Sequence, residues 1–193
     1  MNKAARKATR HRIFESRNAT GIPRGELRSS SLLKLLLCLW LGVSAVQASF
    51  AANSLLHKAA PQFVRTDLKH RRLDLRAYRG KVILLNFWAT WCAPCQVEMP
   101  RFVAWQNQYG PRGLQIIGIS MDDDPESARR LAKKLKLNYP VAMGDEELGQ
   151  LYGGVLGLPL SFLIERHGNV HAEYRGEADL DSIEEQFMPL LNP

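Results

Sequence analysis

The chain has 193 residues, three cysteines and 26 Lys/Arg against 19 Asp/Glu, a formal charge of +7. That excess sits at the start: through Lys34 nine bases meet only Glu15 and Glu26, and the remainder holds seventeen of each sign. A neutral remainder lacks the basic footprint of a nucleic-acid binder, and its roughly 145 residues suffice for one domain with its own core but not for two.

Lys3, Arg6, Lys7, Arg10, Arg12, Arg17, Arg24 and Arg28 lead into Leu32 to Val46, apolar apart from Lys34, Ser44 and small residues. This reads as a secretory signal. Val46-Gln47-Ala48 or Ser49-Phe50-Ala51 fits the cleavage pattern, so residues 1–51 are assigned to the leader and 52–193 to the domain. The alternative is an uncleaved anchor, although an apolar core of about fifteen residues is shorter than the twenty or so that a spanning helix needs. Cys38 follows Leu37 instead of a small residue, which favours an apolar place in the signal over lipid attachment. No twin-Arg pair precedes the apolar run, which argues for export of an unfolded chain. The expected location is the periplasm, with membrane contact only if the leader is retained.

Phe63-Val64-Arg65-Thr66-Asp67 and Arg72-Leu73-Asp74-Leu75 predict a short β-hairpin. Val82 to Trp88, apolar apart from Asn86, predicts a central strand buried on both faces. A helix from Ala93 to Tyr109 follows, with Pro100 expected to kink it so that its first turn leans outward and carries the two sulfurs to the surface. Leu114 to Ile119 predicts a second buried strand, and Pro125 to Lys136 a basic amphipathic helix behind Asp122-Asp123-Asp124. Asn138 to Met143 gives a short strand and Glu146 to Tyr152 a short helix. Ser161 to Ile164 and Val170 to Tyr174 form an antiparallel pair around His167-Gly168-Asn169, and Leu180 to Leu190 closes as a helix. Strand alternating with helix implies an α/β fold with a parallel sheet core.

Without the leader only Cys92 and Cys95 remain, too few for a disulfide framework or a four-thiolate zinc site. A bridge between them closes so short a loop that it constrains the unfolded chain little, so a redox role outweighs that of a staple. The pair lies where the buried strand gives way to a helix. There the positive end of the helix dipole stabilises thiolate over thiol and makes the outer sulfur nucleophilic. Cys92 is therefore the expected attacking residue and Cys95 the resolving one. Pro94 suits a first helical turn, where its missing N–H would be unpaired anyway. His57, His70, His167 and His171 are scattered at no ligand spacing, and neither a metal nor a cofactor beyond the disulfide is implied.

The order of elements, together with Phe87-Trp88-Ala89-Thr90-Trp91-Cys92-Ala93-Pro94-Cys95, Glu98-Met99-Pro100 and Gly157-Leu158-Pro159, resembles the thioredoxin superfamily. More narrowly it is similar to the exported TlpA/ResA/CcmG-like thiol-disulfide oxidoreductases of bacteria, over roughly Ala60 to Leu191. The resemblance implies a thioredoxin-like fold: a central mixed β-sheet flanked by helices, an N-terminal β-hairpin, and an inserted strand and helix before a cis-proline. Pro159 matches that cis-proline, a geometry uncommon enough to be a deliberate feature. It implies that the backbone of Leu158 is offered to an extended substrate segment, with Trp91 and Pro159 beside it, while the substrate's cysteine meets Cys92. Leu160 stands where relatives often carry a small hydroxyl residue, a departure expected to alter substrate fit. Asn86 replaces the buried acid of thioredoxins, and Glu98, three residues after Cys95, is the candidate acceptor of the resolving proton; the bland alternative is an exposed helical glutamate.

The dipeptide Ala93-Pro94 lacks the histidine that strongly oxidising relatives place there, which leans toward a protein-disulfide reductase. The resemblance implies a membrane thiol donor that re-reduces the pair, and oxidised exported proteins as substrates, such as apocytochrome c during cytochrome c biogenesis. A disulfide oxidase or isomerase is the alternative in electron flow. A copper-carrying dithiol protein is the alternative in class, although the wider cysteine spacing and added histidine of the copper-delivery relatives are absent. A peroxidase ranks last, because Thr90-Trp91-Cys92 does not give the Thr-x-x-Cys spacing.

Overall fold

The computed structural model describes residues 54–192. The leader, its cleavage sites and Cys38 lie outside the described residues. Within them, β1 (Val64–Thr66) and β2 (Arg72–Asp74) pair antiparallel as the predicted hairpin, and a single 3-10 turn follows over Leu75–Tyr78. The main sheet holds β3 (Val82–Trp88), β4 (Leu114–Ser120), β5 (Val141–Met143), β6 (Leu160–Ile164) and β7 (Val170–Arg175) in the order β5-β4-β3-β6-β7. β3 runs parallel to β4, and β4 to β5, whereas β6 is antiparallel to both β3 and β7. The helices are α1 (Ala93–Tyr109), α2 (Pro125–Lys134), α3 (Glu146–Leu151) and α4 (Leu180–Leu190).

Every residue of β3 is buried, so alternate side chains enter two separate cores. Val82, Leu84 and Trp88 join Met99, Phe102, Trp105 and Tyr109 of α1 and Ile183 and Phe187 of α4. Ile83, Leu85 and Phe87 pack on the other side against Phe63, Leu73, Leu148 and Tyr152. Each such apolar side chain contributes about 1.5–3 kcal/mol, against about 0–1 for an exposed ion pair. The position of β3 is thus set by burial and not by the charged surface.

The β5 side of the sheet is covered by other parts of the chain. Leu68 N–H donates to Val141 C=O at 2.7 Å and Asp67 bridges Ala142, so the hairpin covers β5. Beyond the short β5, Gln106 stands in for a strand: its Oε1 accepts Ile116 N–H at 2.7 Å and its Nε2 donates to Leu114 C=O at 3.4 Å. Such cover removes the open edge on which other chains would pair. Boundaries otherwise differ by a few residues from expectation. The strand expected from Asn138 begins at Val141, because Pro140 has no N–H for a ladder, although its carbonyl accepts from Gly118.

Arg166, just after β6, ties the C-terminal helix to the sheet. Its guanidinium donates to the carbonyls of Leu190 (3.1 Å), Leu191 (2.8 Å) and Gly80 (2.7 Å), acceptors that the end of α4 and a turn would otherwise leave unpaired. Arg166→Met, which keeps the aliphatic stem, is expected to cost about 2–3 kcal/mol, because hydrogen bonds from a charged donor are lost together. A lowered urea midpoint at unchanged m-value is the readout, and an unchanged midpoint would contradict it.

Candidate active site

Two parallel strands and one antiparallel strand bring the site together at one edge of the sheet. The register pairs Trp88 with Ser120 and Phe87 with Leu160, so the ends of β3 and β4 and the start of β6 share that edge. The turn Ala89–Cys92, Asp122 and the Leu158-Pro159 segment all issue from it, at the carboxyl ends of the parallel strands where open α/β sheets gather their chemistry.

Cys92 is the N-cap of α1, with extended backbone (φ −86°, ψ 99°), and its Sγ accepts the Cys95 N–H at 3.3 Å. A sulfur thus takes the place of the usual capping oxygen, with Pro94 in the first turn as expected. Cys92 and Cys95 form a disulfide with a Cα–Cα distance of 5.3 Å. The expectation that Pro100 would lift both sulfurs to the surface is corrected: α1 is assigned as one helix through Pro100, and Cys92 and Cys95 are only 4% and 1% exposed. The reason is packing. The first turn of α1 lies on the core with Trp88, Ala89 and Met99, and Leu158 packs against that core. Trp91, 72% exposed, and Ala93 are the parts of the motif that meet solvent.

The Leu158-Pro159 peptide bond is cis, as the resemblance implied. Leu158 is half-buried, and among the described residues neither its N–H nor its C=O is hydrogen-bonded. Pro159 C=O accepts from Gly176 N–H at 2.8 Å. Leu160 departs from its expected bearing on substrate fit, because its side chain is 1% exposed and packs in the core on the sheet face away from the cysteines.

Asn86 alternates with Leu84 and Trp88 and therefore faces the cysteine side of the sheet. It is buried and donates from Nδ2 to Ser161 Oγ at 2.9 Å, so a satisfied neutral amide occupies this place. Glu98 is not an exposed helical glutamate: it is 4% exposed. Burial pushes its pKa up from 4.5 to about 7, the Ala178 backbone N–H pulls it partly back, and the charge of Glu177 raises it further. The Tyr139 phenol is raised by its own burial and then by the Glu98 charge. The segment that faces Glu98 is continuous with Gly176, which holds Pro159, so the carboxyl and the cis-proline share a support.

The spacing of motifs does not reveal Asp122. It is 9% exposed and accepts hydrogen bonds from the Thr90 N–H and hydroxyl and from the Ser120 hydroxyl. The available signal was an acid directly after a buried strand, at the edge where sites collect. Among the described residues no group of three or more His, Cys, Asp or Glu is placed to hold a metal ion, and no helix is long and apolar enough to cross a membrane. An open surface depression of about 620 Å³ is lined by Tyr109, Glu184, Met188 and neighbours and includes neither cysteine.

Residues 56–173 match the AhpC/TSA family. The thiol-disulfide oxidoreductase ResA of Bacillus thuringiensis subsp. konkukian is 36% identical over 165 residues, covering 84% of this chain and 94% of that protein. ResA of Halalkalibacterium halodurans is 31% identical over 150 residues, covering 76% and 84%. Among solved structures, a thiol:disulfide interchange protein of the thioredoxin family from Chlorobium tepidum aligns with a TM-score of 0.65 at 29% identity, covering 69% of this chain and 96% of that one.

The raised pKa of Glu98 has a stability consequence with a definite sign. Between about 4.5 and 7 the folded state binds the proton that the unfolded chain has released, so stability falls as pH rises through that window. Glu98→Gln keeps a carbonyl oxygen for Ala178 N–H and removes the buried charge. It is expected to leave the urea midpoint at pH 4 nearly unchanged and to raise stability at pH 8 by at most about 3 kcal/mol. Equal effects at both pH values would contradict burial as the cause.

Proposed function

The chain belongs to the AhpC/TSA family and is a ResA-like thiol-disulfide oxidoreductase with a thioredoxin-like fold, and from that premise we propose that it works as a protein-disulfide reductase in the periplasm. The observation that carries the reading is Cys92 as helix N-cap, bridged to Cys95 at the sheet edge from which cis-Pro159 also issues.

The dithiol form starts the cycle. Cys92, as thiolate, attacks one sulfur of a client disulfide; the new S–S bond joins Cys92 to the client, and the other client sulfur leaves as thiolate and takes up a proton. Cys95 gives its proton to Glu98 and attacks Cys92, which expels the second client sulfur and closes the bridge. Two electrons pass to the client, and a membrane thiol donor returns them. Glu98 suits the middle step because a carboxyl with a pKa near 7 takes and yields a proton near neutral pH. An extended client segment pairs with the free Leu158 backbone and rests on the exposed Trp91. Clients of this kind include apocytochrome c, whose haem-attachment cysteines must be reduced. The reductase direction is supported by Ala93-Pro94, which brings no cationic or hydrogen-bonding side chain to stabilise the thiolate form.

Equilibration of the purified protein with dithiothreitol or glutathione buffers tests the direction. A reduction potential at or below about −230 mV is expected, whereas a value near about −120 mV would make the protein a disulfide donor. Cys95→Ser should accumulate a mixed disulfide with a disulfide-bonded protein such as insulin, and Cys92→Ser should form none. Stoichiometric Cu(I) binding without insulin reduction would overturn the reading in favour of a carrier.

A further inference from the structure

The Thr90 turn is held more tightly than a connecting loop needs. Asp122 accepts Thr90 N–H through both carboxylate oxygens (3.0 and 3.0 Å), the Thr90 hydroxyl at 2.6 Å and the Ser120 hydroxyl at 2.8 Å. From the opposite side Gln96 Nε2, on α1, donates to the Thr90 carbonyl at 2.8 Å. Cys92 N–H donates to Ala89 C=O at 3.1 Å, and Met121 N–H to Trp88 C=O at 2.8 Å. Every polar group of Thr90 is therefore engaged, and the turn is pinned to β4 and to α1 at once. All the donors to Asp122 are neutral, and a carboxylate is the side chain able to accept from an amide and two hydroxyls together.

The pinning matters differently in the two redox forms. In the disulfide form Cys92 is tethered covalently to Cys95. Once the bridge opens that tether is gone, and residue 92 is held by its packing on the core, the helix that follows it and the turn that precedes it. We propose that Asp122 is a positioning residue of the dithiol form: through Thr90 it keeps Cys92 at the N-terminus of α1, where the thiolate is stabilised by the helix and ready to attack. The inference rests on Cys92 as the nucleophile. Loss of the side-chain acceptor for Thr90 N–H then destabilises the reduced form more than the oxidised one, where the bridge does the holding, and the dithiol–disulfide equilibrium moves toward the disulfide. A purely structural role would lower the stability of both forms equally and leave that equilibrium unmoved.

The experiment compares the purified wild type with Asp122→Ala, Asp122→Asn and Gln96→Ala. It reads the equilibrium constant against dithiothreitol, the urea midpoints of both redox forms, and the rate of iodoacetamide modification at Cys92 by mass spectrometry. Asp122→Ala should shift the equilibrium toward the disulfide about fivefold and slow Cys92 modification about threefold, as expected for the loss of buried hydrogen bonds in one form. Asp122→Asn, whose amide oxygen still accepts Thr90 N–H, should stay within about twofold of wild type. Gln96→Ala releases the turn from its other side, should shift in the same direction, and supplies the test if Asp122→Ala does not fold. Equal loss of stability in both forms with an unmoved equilibrium would overturn the proposal, as would Asp122→Asn behaving like Asp122→Ala. Failure of the parent reading is separate: it appears as a wild type that does not reduce insulin.

Discussion

The passage from Trp88 to Ala93 is the constraint on which the rest depends. β3 is buried on both faces and hydrogen-bonded on both sides, so it can release the chain only at the end of the sheet. The chain must then turn back over the sheet as a helix, which brings four unpaired N–H groups to that edge. In most helices a hydroxyl or carboxylate oxygen answers one of them; here a sulfur does. Capping and redox chemistry thus fall on one atom, and the packing that buries α1 against Trp88 and Phe187 also sets where the sulfur stands.

Around that sulfur the fold limits buried charge. The polar position beneath the helix is an amide satisfied by a serine hydroxyl, so no carboxylate competes there with a thiolate. The one carboxyl on the buried side of α1, Glu98, is kept near half-ionised at neutral pH by desolvation and by Glu177. A group so poised differs little in free energy between its two protonation states, which suits it to passing a proton. Asp122 meets burial by another route, with several hydrogen bonds and no ionic partner among the described contacts.

Local features were legible where one residue pattern decides the structure. The apolar run Val82–Trp88 could only be a doubly covered strand, and α1 and the last helix fall on their predicted residues because caps and periodicity agree. What escaped depends on contacts across long separations. The groups that act on the buried Glu98, the Ala178 N–H and the Glu177 charge, lie about eighty positions away, and no helical spacing announces them. In Asp122-Asp123-Asp124 the three acids look alike, yet Asp124 caps α2 through Glu126 and Ser127 while Asp122 serves Thr90, thirty-two residues earlier. The proline in α1 misled for a related reason: a missing N–H weakens one helical bond, but the apolar face of the helix still binds it to the sheet along its length.

The buried sulfurs bear on what can react with them. With both cysteines almost wholly covered while Trp91, the residue before Cys92, is 72% exposed, an apolar side chain meets solvent next to the pair and the sulfurs themselves are recessed. A small disulfide gains nothing from that apolar surface. A polypeptide can bury side chains on it and pair its backbone with Leu158, and the free energy of both contacts then holds its own disulfide at Cys92. In the proposed cycle, discrimination among disulfides therefore comes from the chain around the client cysteine, and the sulfur chemistry is common to all of them.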